Sequence, residues 1–385
     1  MLAEEIFQNL RLKKTDMSLH KPYKVIISGG GTGGHIYPAV AIANGIKERF
    51  PDTDILFVGA EGRMDMQKVP AAGYKIEGLW ISGIQRRLTI DNLAFPLKVV
   101  SSILKARKIV KAFKPDIAIG VGGYASWPLL YAAGKAGIPT LIQEQNSYAG
   151  VSNKALAKSV KAICVAYENM ERFFPKDKIV YTGNPVRKDI VHYNQYKEGA
   201  AEFFGLKSGI PTLFIMGGSL GARTINQSIE KNIDIIKQSG IQVLWQTGKS
   251  YYDSLKHYSS DTIKVLDFIS DMNKAYAMAD VIVSRAGALS ISELSIVGKP
   301  AILVPSPNVA EDHQTKNAMA LSEKNAAWMV KDIDAPLLLV NKALELMNDS
   351  ESKSILSKNI LTFAKPDAAD RIVDKVLEII NTNRK

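Results

Sequence analysis

A chain of 385 residues, 46% hydrophobic and 23% charged, has globular composition and exceeds the size at which a single hydrophobic core stops growing, so two domains are expected. One cysteine, Cys164 in the apolar run KAICVAY, excludes an internal disulfide or a cysteine metal cluster and fits a reducing cytosol. The net charge of +11 suits nucleic acid, a membrane surface or an anionic substrate, but the basic residues are spread out, without an aromatic RNA motif or zinc-finger spacing, which sets nucleic acid aside.

Residues 1–22 mix acidic and basic side chains through their apolar positions, so they offer neither the core of a signal peptide nor the roughly 20 apolar residues of a membrane span. We read them as an extension without an assigned role. From residue 23 one unit repeats: a short β-branched or apolar run, a glycine or polar turn, then a helical stretch. Strands are predicted at 23–28, 54–59, 116–121, 139–144, 162–167 and 178–183. The pattern restarts with strands at 211–218, 241–248, 263–268, 280–285, 299–305 and 326–330. This is α/β architecture with two doubly wound parallel sheets, each expected to bind ligand at the carboxyl ends of its strands, where the topology switches. The polar stretch 184–199 is read as the linker, giving domains at 23–190 and 191–365. The helical spacing of 366–385 allows that segment to return to the first domain. Lys105, Arg107, Lys108 and Lys111 read as a solvated helix face.

The motifs fall after predicted strands. Gly29-Gly30-Gly31-Thr32-Gly33-Gly34-His35 opens a helix, so its backbone can approach a phosphate and the helix start supplies oriented N–H groups. A P-loop would need Lys where His35 stands, which removes that reading. The dinucleotide fingerprint is formally met by Gly29, Gly31 and Gly34 with the acidic Glu61 after the second strand, so a nicotinamide oxidoreductase stays open at this point. His35, at the mouth of the loop, is of the side-chain type that takes a proton near neutral pH, although a histidine that only bonds the loop backbone would look the same. Met216-Gly217-Gly218-Ser219-Leu220-Gly221-Ala222-Arg223 repeats the design in the second half, and two such loops suit a ligand gripped from both sides.

In Ser284–Glu293, Ser290 and Glu293 have capping-box spacing, and the same helix start can face a diphosphate with Glu293 on ribose hydroxyls. Gln314 and Asn317, in the stretch after the strand at 299–305, suit sugar hydroxyls. In the first half, Gly122-Gly123-Tyr124, Glu144-Gln145-Asn146 and Gly183-Asn184-Pro185-Val186-Arg187 each follow a strand. Arg187 can pair with a diphosphate, Asn146 and Tyr124 can bond an acceptor, and Asn184-Pro185 is itself a turn signal. The Asp-x-Asp pairs, Asp52 with Asp54 and Asp332 with Asp334, lie off the expected cleft, so no essential metal or other cofactor is expected, and helix starts and Arg would stabilise a leaving group.

Together GGGTGGHIYPA, GGYAS, QEQNSYAGVSNK, GNPVR, GGSLGAR, RAGALSISE and DHQTKNA resemble, in order and spacing across residues 23 to about 365, the MurG family of glycosyltransferases. The resemblance implies the GT-B fold and inverting transfer of N-acetylglucosamine from UDP-GlcNAc to the C4 hydroxyl of lipid I, giving lipid II for peptidoglycan synthesis. It implies His35 as general base, and a donor site of Thr32, Gly33, Gly34, Asn146, Arg187, Ser219, Ile269, Ala288, Leu289, Ser290, Ile291, Ser292, Glu293 and Gln314. Ile269 and Leu289 would flank the uracil, and Gly122, Gly123 and Tyr124 would face the lipid diphosphate. Leu220 and Ala286 depart from the family's usual Gln and Ser, which removes two side-chain hydrogen bonds. A lipid-linked acceptor further implies peripheral attachment to the cytoplasmic face of the inner membrane, with cell-wall synthesis proteins as partners. Leu79, Trp80, Ile81 and Ile84 beside Arg86 and Arg87 are read either as a basic-rimmed apolar patch for anionic lipid or as a buried strand and turn. A UDP-GlcNAc 2-epimerase of the same fold and a non-catalytic nucleotide-sugar sensor remain as rivals.

Overall fold

The computed structural model describes residues 22–83, 94–218, 220–309 and 312–384. The first lobe holds β1 (Lys24–Gly29), β2 (Asp54–Ala60), β3 (Lys75–Leu79), β4 (Ile117–Gly122), β5 (Thr140–Glu144), β6 (Ala162–Val165) and β7 (Ile179–Tyr181). They form one parallel sheet in the order β3-β2-β1-β4-β5-β6-β7. The second lobe holds β8 (Thr212–Met216), β9 (Gln242–Gln246), β10 (Ile263–Leu266), β11 (Val281–Ser284), β12 (Ala301–Leu303) and β13 (Trp328–Met329), parallel in the order β10-β9-β8-β11-β12-β13. Helices cover both faces of each sheet, which is why the central strands read as unbroken apolar runs, with every residue of β4, β5, β8 and β9 buried.

Every predicted strand is present, and β3 is an addition. Its sequence KIEGL carries Lys, Glu and Gly, and only Gly78 and Leu79 are buried, as suits an edge strand with little apolar signal. The structure also decides the reading of the residues that follow. Leu79 and Ile81 are buried at 0% and 7% exposure, so they belong to the core, and only Trp80 projects outward. Ile84, Arg86 and Arg87 lie outside the described residues.

The helix Ala368–Arg384 places Ile372, Val376, Ile379 and Ile380 on one stripe, all buried in the cluster that also holds Val25, Ile27, Ile42 and Ile46 of the first lobe. Arg49 fastens it at the surface through Asp370 and Asp374. The chain therefore crosses between lobes twice. Of the stretch read as a linker, Val186, Ile190 and Tyr193 pack into the core of the second lobe with Phe214 and Ile282.

Candidate active site

In each sheet the neighbouring strands whose connections leave in opposite directions, β1 with β4 and β8 with β11, carry the glycine-rich loops at their carboxyl ends. At the first switch point the register slips between Ser28 and Gly29, and the chain turns into the helix Gly33–Arg49. Thr32 is its extended N-cap, and the Thr32 carbonyl accepts from the backbone N–H groups of His35 and Ile36, both at 3.1 Å. The N–H groups of Gly33 and Gly34 belong to the first turn, which has no carbonyl partners within the helix.

The His35 ring is held on two sides. Its Nδ1 lies 3.3 Å from Thr32 Oγ1, and its opposite edge rests on Gly122, where a Cβ would come within 2.6 Å of Cδ2 and 2.8 Å of Nε2. Gly122 also has φ +101°, a conformation that side-chain-bearing residues rarely adopt. Next to it, Gly123 packs so closely on Gly30 that a Cβ would meet the Gly30 carbonyl oxygen at 2.3 Å. Burial pushes the His35 imidazole below its ordinary value; a backbone hydrogen bond at Gly30 opposes the shift, and the field of His313, from the other lobe, adds to it. Burial thus favours the uncharged ring, whose Nδ1 and Nε2 have distinct surroundings.

Asp65, which sequence reasoning passed over, holds this loop from the third side. It is fully buried and accepts from the backbone N–H of Ala60 at 2.8 Å and of Gly31 at 3.3 Å. Glu61, the acid singled out for a dinucleotide fingerprint, instead pairs with Lys105 at 2.9 Å on the surface. The one sequence signal for Asp65 was an acidic residue opening the short helix Asp65–Ala71 behind β2. Tyr124 is 45% exposed, with its ring against Gly83.

In the second lobe the helix Ala288–Val297 begins at an extended Gly287 with no side-chain cap. This corrects the capping-box reading. Ser290 is already inside the helix, and Glu293 accepts from Tyr276 Oη at 2.8 Å. Burial raises the Glu293 carboxyl; the Tyr276 hydrogen bond and the Arg187 charge pull it down, and Asp189 pushes it up. Arg187, at the first chain crossing, has its Nε 3.5 Å from Asp189 Oδ1, and its field reaches Tyr37 of the first lobe and Glu293, Tyr276 and Asp271 of the second. It therefore stands where the two lobes meet.

The remaining predicted residues divide. Ala288 and Ile291 are buried, so Ala288 can offer a ligand only its backbone at the helix start, while the Ile291 N–H already donates to the Gly287 carbonyl at 2.9 Å and Leu289 is half-buried against the core. Ile269 is 3% exposed and donates its N–H to Gln246 Oε1 at 3.1 Å. Gln314 Oε1 accepts from Ser306 N at 2.9 Å, which ties the helix His313–Ser322 to the loop after β12. Asn146 is oriented by Glu144, whose carboxylate also takes Gly150 N at 2.9 Å and Asn153 Nδ2 at 2.8 Å. Ser219 lies outside the described residues.

Three polar residues prove to be joints. Asn317 is fully buried: its Oδ1 accepts from Ser147 Oγ at 2.9 Å across the lobes and its Nδ2 donates to the Ala286 carbonyl, so it is not free to bond a sugar. Asn184 Nδ2 donates to Ser292 Oγ at 3.0 Å, a second link between lobes. Both carboxylate oxygens of Asp332 are engaged, one by Arg285 and the other by Thr224 Oγ1 at 2.8 Å.

Two facing parallel sheets, each presenting a glycine loop and a helix start, with an imidazole on one, a buried carboxylate on the other and Arg187 where they meet, define a nucleotide-dependent transferase of the GT-B class. Family models agree with that class in both lobes: the glycosyltransferase family 28 N-terminal domain matches residues 25–165, and the family 28 C-terminal domain matches residues 212–372. The chain belongs to glycosyltransferase family 28. It is 78% identical over 369 residues to a protein of Cytophaga hutchinsonii, covering 96% of this chain and all of that one, and 57% identical over 365 residues to one of Parabacteroides distasonis, covering 94% and 99%. Both are named UDP-N-acetylglucosamine–N-acetylmuramyl-(pentapeptide) pyrophosphoryl-undecaprenol N-acetylglucosamine transferase. The crystal structure of Acinetobacter baumannii MurG superposes with a TM-score of 0.71 at 29% identity, covering 93% of this chain and 100% of that one. Family membership removes the oxidoreductase reading.

Proposed function

We propose that this chain transfers N-acetylglucosamine from UDP-GlcNAc to the C4 hydroxyl of lipid I, with inversion, to give lipid II for the cell wall. The observation that carries the reading is the two-sided clamp on His35 at the first switch point, facing Arg187 at the chain crossing and a second lobe that presents Glu293 and an uncapped helix start. A single displacement needs one base and one stabilised leaving group. His35 takes the acceptor proton. Arg187, the loop with Ser219 and the helix starts at Gly33 and Ala288 offset the charge that develops on the diphosphate. Glu293, held by Tyr276, accepts from the ribose, with Leu289 and Ile269 beside the base and Gln314 and Asn146 toward the sugar. Gly122, Gly123 and Tyr124 face the acceptor diphosphate. In this division residues 23–190 with the closing helix serve the acceptor, and 191–365 serve the donor.

Such an acceptor brings the enzyme to an anionic membrane surface on the cytoplasmic side, where cell-wall synthesis proteins are its expected partners. No helix among the described residues is long and apolar enough to cross a membrane. The surface best fitted to lie on one is the helix Phe95–Phe113, where Leu97, Val100 and Leu104, at 67%, 56% and 52% exposure, form one stripe beside Trp80. Arg107, Lys108 and Lys111 on the same helix add positive charge, while Lys105 is offset by Glu61. Replacing Leu97 and Val100 with Glu is expected to lower binding to anionic vesicles severalfold while leaving transfer to a soluble acceptor analogue intact; equal vesicle binding removes this surface. The activity itself is tested by transfer of labelled GlcNAc to a short-chain lipid I analogue. Product formation supports the reading, and an active-site-competent, folded preparation that makes none contradicts it.

A further inference from the structure

We infer that the cleft between the lobes at the β5–β7 end of the first sheet receives the peptide of the acceptor and holds it by its carboxylates; this rests on the function proposed above. The cleft is a cavity of ≈ 730 Å³, within the usual span of ligand sites, and its walls come from both lobes and from the returning chain at Thr362, Phe363 and Lys365. It adjoins the site, since Ser147 and Ser292, which line it, are chain neighbours of Asn146 and Glu293.

Its lining is cationic and aromatic. Arg172, Lys316, Lys324 and Lys365 outnumber Glu168 and Glu323. Three of the ammonium groups are seated on rings: Lys316 4.0 Å over Tyr148, Lys324 5.4 Å over Phe363 and Lys365 5.0 Å over Tyr181. Seating of this kind orders a long side chain in advance, so less freedom is lost when a carboxylate arrives. The Tyr167 hydroxyl behind the same wall is buried and has no hydrogen-bond partner among the described residues.

The order of the sheet gives the direction. Across the carboxyl edge of the first lobe the exposed Trp80 follows β3, the glycine loops and His35 follow β1 and β4, Asn146 to Tyr148 follow β5, and Ala166 to Arg172 follow β6. The acceptor named for the relatives is built in the same sequence: polyprenyl chain, diphosphate, sugar, peptide. With lipid at the β3 end and the reacting sugar at β1 and β4, the peptide points to β6. Strands lie about 4.8 Å apart, so that distance is on the order of 10–15 Å, and an extended pentapeptide reaches about 17 Å. A free carboxylate at its end is unavoidable in an unmodified peptide, and charge-assisted bonds from several Lys and Arg would fix it.

The test compares short-chain lipid-linked acceptor analogues with and without the pentapeptide. Wild type is expected to favour the peptide-bearing analogue by about tenfold in kcat/KM, the scale of one or two charge-assisted hydrogen bonds. K324E combined with K365E is expected to abolish the preference through a raised KM for that analogue alone, with the donor KM and the rate on the peptide-free analogue unchanged. The K324R, K365R pair is expected to keep it. An undiminished preference in the charge-reversed protein, or none in wild type, overturns the inference. If wild type uses neither analogue, the transferase reading has failed, and the cleft is judged separately by calorimetry with the free acidic pentapeptide. Binding lost on charge reversal supports the cleft as a carboxylate-peptide site, and binding that is absent or insensitive overturns it.

Discussion

The position of the His35 imidazole depends on a residue that has no side chain. Gly122 gives the ring its floor, and any Cβ there would enter the space of Cδ2 and Nε2 while forcing φ +101° on a residue that resists it. Gly122→Ala is therefore expected to lower kcat by about a hundredfold with little change in donor binding, since a displacement of about 1 Å at a reacting group has that scale. Unchanged turnover would show that the ring is not held from this side. Tyr276 plays the matching part for Glu293. In Tyr276→Phe the carboxylate loses its 2.8 Å donor inside a buried site, and the donor KM is expected to rise by about tenfold, read by initial rates over UDP-GlcNAc concentration. The places of His35 and Glu293 at the carboxyl ends of their sheets were legible in the sequence because each follows a strand in a glycine-bearing motif. Asp65 was not: its role depends on β2 and β1 lying side by side, which brings the N–H groups of Ala60 and Gly31 to one carboxylate. Asn317 was misread for a similar reason, because an amide after a strand looks alike whether it meets a sugar or, as here, Ser147 of the other lobe.

At the scale of elements, strands buried on both faces announce themselves through continuous apolar runs, and those were found within a few residues. Edge strands do not. β3 pairs with β2 through a sequence whose Lys, Glu and Gly suppress the pattern, and its omission is what left the surface and buried readings of Leu79 and Ile81 both open; the buried one holds. The exposed stripe lies on the following helix instead, where Leu97, Val100 and Leu104 repeat at helical spacing. The capping-box motif failed because Gly287 starts the helix three residues earlier, so Ser290 no longer sits where it can receive the first N–H groups. The closing helix was expected from its apolar spacing, which allowed a return to the first domain, where it packs. Val376 on it is 1% exposed in the first-lobe core, so Val376→Asp buries a carboxyl without a partner and is expected to cost about 3–5 kcal/mol, seen as an earlier urea transition of the first lobe. A transition unchanged by the substitution would show that the helix contributes little to that core.

Among the described residues the two lobes are joined by contacts that include Ser147 to Asn317, Asn184 to Ser292, Lys316 over Tyr148 and Lys68 over Phe268, and by two chain crossings. In the proposed mechanism neither lobe alone carries the chemistry: the proposed base, His35, is on the first, the proposed ribose carboxylate, Glu293, is on the second, and Arg187 is at the crossing between them. That division was readable from the repeated loop design, whereas the contacts that set the distance between lobes were not, since they depend on tertiary placement. The central claim is that the neutral His35 imidazole takes the acceptor proton. Because burial lowers its pKa from 6.5, the working form persists as pH falls through neutrality, and the rate should decline only on an acid limb below that value, where the ring becomes charged. The decisive measurement is the pH profile of single-turnover GlcNAc transfer for wild type and His35→Ala at saturating UDP-GlcNAc. The account predicts a wild-type acid limb below pH 6.5 and a mutant slower by two or more orders of magnitude, about 10²–10⁴ for loss of a general base, with that limb gone and donor affinity retained. A mutant that keeps the wild-type rate and the same acid limb would contradict it.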